Sequence, residues 1–311
     1  MILSMAPMEG ITGHVFRCVH AECFGAMERY YTPFACTPRV GSASFAGRYA
    51  KELDPANNQG LNVIPQLLTK DADEFVWAAG LLAKMGYEEV NLNLGCPSGT
   101  VVSHGKGSGA LRDPEALEVF LQDICARSPL PVSVKTRLGL ANDAEYEELL
   151  AVFCRCPLAE LIVHPRVRAD LYGGTPRQEA YGRTLAAASF PVAYNGDIFA
   201  PEDASELLAA YPETRHVMLG RGLLRNPALA RQIGDGPSLT LEELQHFHGE
   251  LYRVYTAEIG GNAVFRMKEW WTYAKESFAD PTAVFRTVRK ARHAEEYEKA
   301  ADKVFQTAIL A

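Results

Sequence analysis

The 311-residue sequence contains no apolar run approaching the roughly 20 residues that a membrane helix needs. Its N-terminus, MILSMAPMEG, lacks the basic region and long apolar stretch of a secretory signal. Seven cysteines are scattered without a second pair at zinc-finger distance from Cys154 and Cys156, so neither a disulfide framework nor a metal site is expected. Free thiols suit a reducing cytoplasm, where the protein is expected. Positive charge is also missing: the formal net charge of −7 gives no global pull toward nucleic acid, although a local basic patch stays open. No G-x-G-x-x-G follows the first strand, which argues against an open doubly wound sheet. The shares of hydrophobic (48%) and charged (22%) residues are those of an ordinary soluble globular protein.

What the sequence does contain is alternation. Short β-rich apolar runs lie at 2–7, 28–34, 62–68, 88–94, 131–137, 160–166, 191–196 and 216–220. Amphipathic helical patterns separate most of them, as at 71–85, 113–127, 143–154 and 201–210. Eight such units, with strands apolar enough to be covered on both faces, predict a (β/α)8 TIM barrel over residues 1–236. In a barrel the chemistry gathers where the strands end. Those ends read Pro7-Met8-Glu9, Gln66, Asn93 to Cys96, Lys135 with Arg137, His164 with Arg166, Asn195-Gly196-Asp197 and Gly220-Arg221-Gly222. Seven polar ends on one rim point to a polar ligand site. The glycines of the last two, with Arg221, suit a phosphate held on backbone N–H groups. Cys96, between Gly95 and Pro97, could be core filler, a metal ligand, a nucleophile or an acid.

After Gly236 the alternation stops. Residues 237–311 predict a helical bundle with helices near 240–258, 262–277, 281–292 and 294–309. Within it, residues 264–293 carry seven basic side chains (Arg266, Lys268, Lys275, Arg286, Arg289, Lys290, Arg292) against three acidic ones (Glu269, Glu276, Asp280). Trp270, Trp271 and Tyr273 are interleaved with them, a pattern that suits a phosphate backbone and structured RNA.

These motifs resemble the tRNA-dihydrouridine synthases, flavin enzymes that reduce a uridine of folded tRNA. The resemblance rests on APMEG at 6–10, PQL at 65–67, NLGCP at 93–97, GSGAL at 107–111, VKTRLG at 134–139, HPR at 164–166, NGDI at 195–198 and MLGRG at 218–222. It implies FMN as cofactor and NADPH, or NADH, as electron donor. Pro7, Met8, Glu9, Gln66, Asn93, Lys135, His164, Asn195, Gly196, Asp197, Gly220 and Arg221 would hold the flavin, with Lys135 near N1 and O2 of its ring. Cys96 would be the general acid for uracil C5, and the glycine-rich stretch Ser98–Leu111 a flap that carries it into place. The resemblance makes tRNA the partner of a monomeric enzyme. Asn93, Arg166, Arg266, Lys268, Tyr273 and Arg289 are the expected contacts, and the grouping is most similar to the uridine-16 subgroup. Two positions depart from the family pattern: Asn91 where Asp is usual, and Asp170 where Gln is frequent. Two alternatives remain, a dihydroorotate-dehydrogenase-like oxidoreductase acting on a free pyrimidine and a non-catalytic RNA-binding barrel.

Overall fold

Alternating strands and helices do form the predicted barrel. A computed structural model of the chain describes residues 1–25 and 27–311. Its strands are Ile2–Met5 (β1), Arg29–Tyr31 (β2), Ala35–Cys36 (β3), Val63–Ile64 (β4), Gln66–Leu68 (β5), Val90–Leu94 (β6), Val132–Arg137 (β7), Glu160–His164 (β8), Val192–Tyr194 (β9) and His216–Leu219 (β10). They hydrogen-bond in the order β3-β5-β6-β7-β8-β9-β10-β1-β2-β4. Every recorded pairing is parallel, including the two end pairs β3·β5 and β2·β4. Because β3 follows β2 and β4 runs into β5, the order closes on itself. Ten segments thus fill eight barrel positions.

The chain breaks the third position at Pro65, which has no N–H to donate. Its carbonyl still accepts from Asn91 N at 2.8 Å, and Gln66 N turns to Thr32 Oγ1 at 3.0 Å. Register along the well-formed side sets Asn93 opposite Lys135 and Arg137 opposite His164.

The chain divides into two compact units. The first comprises Met1–Pro7, Glu28–Gly196 and Leu208–Met218; the second comprises Met8–Met27, Asp197–Leu207 and Leu219–Ala311. In the first, Ala6, Tyr31, Ile64, Ile162, Ala193 and Met218 form an apolar layer, each at most 3% exposed. Beside it lies a charged layer. Glu160 Oε2 accepts from Arg29 Nη1 (3.2 Å) and Tyr31 Oη (3.1 Å), and Glu160 Oε1 sits 2.8 Å from His216 Nδ1. His216 Nε2 in turn bonds Ser4 Oγ at 2.6 Å. One carboxylate therefore links β1, β2, β8 and β10.

The second unit is helical. Leu241–Ile259 opens with a capping box between Thr240 and Glu243, and is followed by Ala263–Ala274, Pro281–Val288 and Ala294–Thr307. Trp270 and Trp271, expected on an RNA-facing strip, instead build the core at 2% and 0% exposure. Trp271 Nε1 donates to Tyr297 Oη at 2.9 Å, and Trp270 packs edge-on to Phe247. Large rings bury enough apolar area to hold a small bundle together, and the indole N–H of Trp271 finds a partner there. Helix His14–Phe24 belongs to the same unit, its Phe16 and Phe24 meeting Phe247 at 5.6 and 5.4 Å. The helix expected over 281–292 ends at Val288, and Lys268 Nζ donates to the Ala291 carbonyl beyond it at 2.9 Å.

Burial pushes the Glu160 carboxyl up, but the His216 hydrogen bond and charge, the Arg29 charge and the Tyr31 hydroxyl outweigh it and hold it below the usual range. A depressed carboxylate stabilises the fold above its unfolded pKa of about 4.3 and loses that contribution as pH falls through the folded value. Glu160→Ala is expected to cost about 3–5 kcal/mol at neutral pH, because Arg29 loses its nearer counter-charge and the buried His216 ring and Tyr31 hydroxyl lose their hydrogen-bond partner. Urea unfolding at pH 7 and again near pH 4 checks this, with the gap between wild type and variant narrowing at the lower pH.

Candidate active site

Strand β6 delivers the cysteine to the rim. Asn93 Oδ1 accepts from both Gly95 N (3.1 Å) and Cys96 N (2.9 Å), which turns the chain sharply at the strand end. The Cys96 carbonyl accepts from Ser108 N (3.1 Å) and Ser108 Oγ (2.8 Å). On either side, Arg137 Nε donates to Gly95 O at 2.9 Å and Arg168 Nε to Pro97 O at 3.3 Å. The thiol is half-buried in a turn whose every backbone contact is specified. Residues expected to form a glycine-loosened flap are folded: Gly99–Ser103 is a helical turn and Gly107–Arg112 a 3-10 helix. Their glycines answer to packing. Gly107 has φ +56°, and a Cβ there would stand 3.0 Å from Cys96 Cβ; one on Gly109 would stand 2.6 Å from Val102 O.

Lys135 and Arg137 follow on β7, His164 ends β8, and Arg166 lies just beyond it. Among the described residues the Lys135 ammonium makes no hydrogen bond or ion pair. Burial and the Arg137 charge lower its pKa to about 7, against the opposing pull of a negative charge on Cys96. His164 stacks on Tyr172 at 6.2 Å, and the Arg137 guanidinium lies 5.4 Å over the same ring. Arg166, expected against the substrate, is fully buried. Its Nε donates to Gly173 O (2.9 Å), its Nη2 to Gly174 O, and its Nη1 lies 3.4 Å from His164 Nε2. The departure at Asp170 has a local cause: its carboxylate accepts from Val167 N at 3.0 Å and pairs with Arg177. Tyr172, 44% exposed at this cluster, and Arg137 are members that strand-end reading left without a role.

Asn195 is buried and donates from Nδ2 to Met218 O at 2.7 Å, stitching β9 to β10. A Cβ on Gly196 would fall 2.0 Å from Tyr194 Oη, so only glycine fits. Pro7 is half-buried after β1. The remaining expected ligand residues belong to the second unit. Met8 N donates to Thr12 Oγ1 at 2.8 Å, and Glu9 is exposed. Gly220 precedes the short helix Arg221–Arg225, and Arg221 Nη2 donates to Asp197 Oδ1. A Cβ on Gly222 would meet Ile198 O at 1.9 Å, which forces glycine there.

Of the basic residues, Arg266 donates to Gly10 O and to Glu269 Oε2 (2.8 Å), and Lys268 Nζ also lies 5.4 Å from the Phe265 ring. Tyr273 is half-buried. Arg289 is exposed and makes no ion pair among the described residues.

Comparison with known proteins adds three findings. The family described as Dihydrouridine synthase (Dus) matches residues 4–309. Curated relatives include a tRNA-dihydrouridine(16) synthase of Neisseria meningitidis serogroup B, 29% identical over 94% of this chain and 91% of its own. A tRNA-dihydrouridine(16) synthase of Pseudomonas syringae pv. tomato is 28% identical (93% and 95%), and a tRNA-dihydrouridine synthase B of Pasteurella multocida is 28% identical (91% and 86%). Among solved structures, morphinone reductase shares the fold at TM-score 0.54 and 12% identity, over 77% of this chain and 87% of its own. Histamine dehydrogenase from Rhizobium sp. 4-9 does so at TM-score 0.58 and 11% identity, over 90% and 52%.

The lowered Lys135 pKa has a consequence for the ligand-free protein. Between about 7 and the unfolded value near 10.4, the unfolded chain binds a proton that the folded one has released, so stability rises with pH across that window. Urea midpoints at pH 7 and pH 9 are expected to show a gain for wild type that Lys135→Met, which buries no ammonium, lacks. Equal gains in both proteins would place the titration elsewhere.

Proposed function

The chain belongs to the dihydrouridine synthase family, and from that membership we propose a tRNA-dihydrouridine synthase that reduces the C5=C6 bond of uridine 16 with Cys96 as proton donor. One observation carries the choice of Cys96: a half-buried thiol at a strand end, on a residue whose backbone N–H and carbonyl are held by Asn93 and Ser108, within electrostatic reach of Lys135.

The residues of the first unit fit FMN. Lys135 is a half-buried lysine whose ammonium has no partner among the described residues, which suits an electron-rich ring edge. Gln66 and Asn93 bring side-chain amides to the same end of the barrel. Pro7, Met8, Glu9 and His164 are assigned to the ring, and Asn195, Gly196, Asp197, Gly220 and Arg221 to the phosphate side, where Asp197 orients Arg221. FMN held by these residues would supply the hydride for uracil C6, with NADPH, or NADH, as the source of electrons. Cys96 supplies the proton that C5 then needs. A cysteine thiol is mostly protonated at neutral pH, yet acidic enough to donate efficiently. Electrons and protons balance, with one hydride and one proton added across the double bond.

Arg266, Lys268, Tyr273 and Arg289 are assigned to tRNA. Arg289 is the most open of the four, and Lys268 and Arg266 carry structural bonds as well. Arg166 is assigned to holding His164 and the Gly173–Gly174 turn. The Neisseria and Pseudomonas relatives, both named tRNA-dihydrouridine(16) synthase, support position 16. No described helix is long and apolar enough to cross a membrane. A monomer acting in the cytoplasm, where tRNA is modified, completes the proposal.

Cys96→Ala is expected to keep FMN and its reduction by NADPH, while tRNA-dependent reoxidation slows by roughly 100-fold, the size of a lost general acid. Stopped-flow absorbance separates the two half-reactions, and a variant that reoxidises at the wild-type rate removes Cys96 from the mechanism. Mass mapping of unmodified tRNA after turnover is expected to find dihydrouridine at position 16. A product only at another D-loop uridine would refute the assigned position and leave the chemistry standing.

A further inference from the structure

Five buried or partly buried side chains run in one unbroken hydrogen-bonded line through the first unit. Asn93 Nδ2 donates to Gln66 Oε1 (2.7 Å), Gln66 Nε2 to Asn91 Oδ1 (2.8 Å), Asn91 Nδ2 to Ser133 Oγ (2.9 Å), and Ser133 Oγ to Glu89 Oε1 (2.5 Å). Gln66, Asn91 and Ser133 have no exposed surface, and Asn93 is 7% exposed. Both ends of the line are chemically fixed. Glu89 lines an open cavity of about 410 Å³ with Arg29, and its side chain is 20% exposed; burial raises its carboxyl pKa, while the Ser133 hydrogen bond and Arg29 Nη1, 3.9 Å from its Oε2, favour the carboxylate, which only accepts. At the far end, the N–H groups of Gly95 and Cys96 only donate, and both point at Asn93 Oδ1.

These two ends leave one way to orient three amides. Ser133 must give its proton to Glu89, so it accepts from Asn91 Nδ2. Asn91 then shows oxygen to Gln66, Gln66 shows oxygen to Asn93, and Asn93 shows oxygen to the Cys96 turn. Turning any one amide over sets donor against donor in a place water does not reach, which costs roughly 1–3 kcal/mol.

We propose that this line is a positioning relay for the Cys96 turn and that Asn91 sets its direction. Glu89 immediately precedes β6 and Cys96 follows its other end, so the length of that strand separates them. The relay makes the orientation of Asn93 a consequence of a carboxylate at the opposite end of the barrel. It also accounts for the asparagine where the family more often has aspartate. An aspartate here accepts from Gln66 but has no proton for Ser133, leaving two carboxylates facing one hydroxyl. Removing the negative charge at position 89 resolves that conflict, since a glutamine there donates to Ser133 and Ser133 then donates to the new aspartate.

The proposal rests on the assignment of Cys96 as proton donor only for its effect on activity; its structural core does not. The test uses the FMN-loaded enzyme and two readouts. Hydrogen–deuterium exchange of the segment 93–98, read by mass spectrometry, reports the turn itself. Half-reaction kinetics report the chemistry. Asn91→Asp is expected to speed exchange by about tenfold, the size of one buried hydrogen bond lost. It should slow tRNA-dependent reoxidation by a similar factor, with reduction by NADPH within about twofold of wild type because the thiol takes no part in it. Adding Glu89→Gln to Asn91→Asp should return both readouts toward wild type.

A merely packed asparagine would not be rescued by a second substitution at the far end of the line. Failure of the double variant to recover therefore overturns the relay, as does wild-type exchange in Asn91→Asp. Should Asn91→Asp not fold, Ser133→Ala takes the acceptor from Asn91, and unchanged exchange in that variant also overturns it. Faster exchange that the double variant reverses, with reoxidation unmoved throughout, upholds the relay and removes Cys96 from the chemistry.

Discussion

A buried hydrogen-bonding group without a partner costs roughly 1–3 kcal/mol, and that constraint shapes the inside of this barrel. Parallel strands with alternating side chains offer eight positions whose inward residues stack in layers. Here Ala6, Tyr31, Ile64, Ile162, Ala193 and Met218 form an apolar layer. Beside it lie polar groups that are paired across strand boundaries. Glu160 gathers Arg29, Tyr31 and His216, and the amides of Gln66, Asn91 and Asn93 close on one another.

The site grows out of this pairing. Where the amide line ends, the last acceptor is a side-chain oxygen facing two backbone N–H groups, and the turn that it creates carries the thiol. Ser108 closes the other side of that turn, which is why glycines surround it: any side chain on Gly107 would collide with Cys96 itself. The Lys135 ammonium, by contrast, has no hydrogen-bond or ion-pair partner among the described residues. Its proton is loosely held because burial and Arg137 disfavour it, and a bound ring with an electron-rich edge would satisfy that ammonium. A lysine without a side-chain partner beside a thiol on a well-held turn suits the proposed reduction followed by protonation.

In the helical unit the large aromatics are structural. Trp270, Trp271, Phe247, Phe278, Phe305 and Tyr297 make one ring cluster with His248 inside it. Burial lowers the His248 pKa to about 3, so it stays neutral and Tyr297 can hydrogen-bond it at 2.6 Å. The basic residues outside this core divide into those tied to backbone carbonyls, such as Arg266 and Lys268, and open ones such as Arg289. Only the second kind can be given over wholly to phosphate contacts, whose strength then depends on salt.

Strand-end chemistry was legible in the sequence because a parallel barrel sends every strand to one rim, so position along the chain already implies position in space. The eight apolar runs, the cysteine after β6 and the glycines at 196 and 222 follow from local pattern. Other features needed the folded chain. Pro65 splits a strand that periodicity reads as continuous, since a single missing N–H does not alter an apolar pattern. Trp270 and Trp271 sit among charges in sequence, yet helix rotation turns them inward, and Arg166, charged and strand-terminal, is drawn inside by the carbonyls of Gly173 and Gly174. The relay from Glu89 to Cys96 joins β5, β6, β7 and the residue before β6, pairs that are 25 to 44 positions apart. Such contacts leave no trace in spacing, because hydrogen bonds between strands depend on register, and register is decided only when the barrel closes.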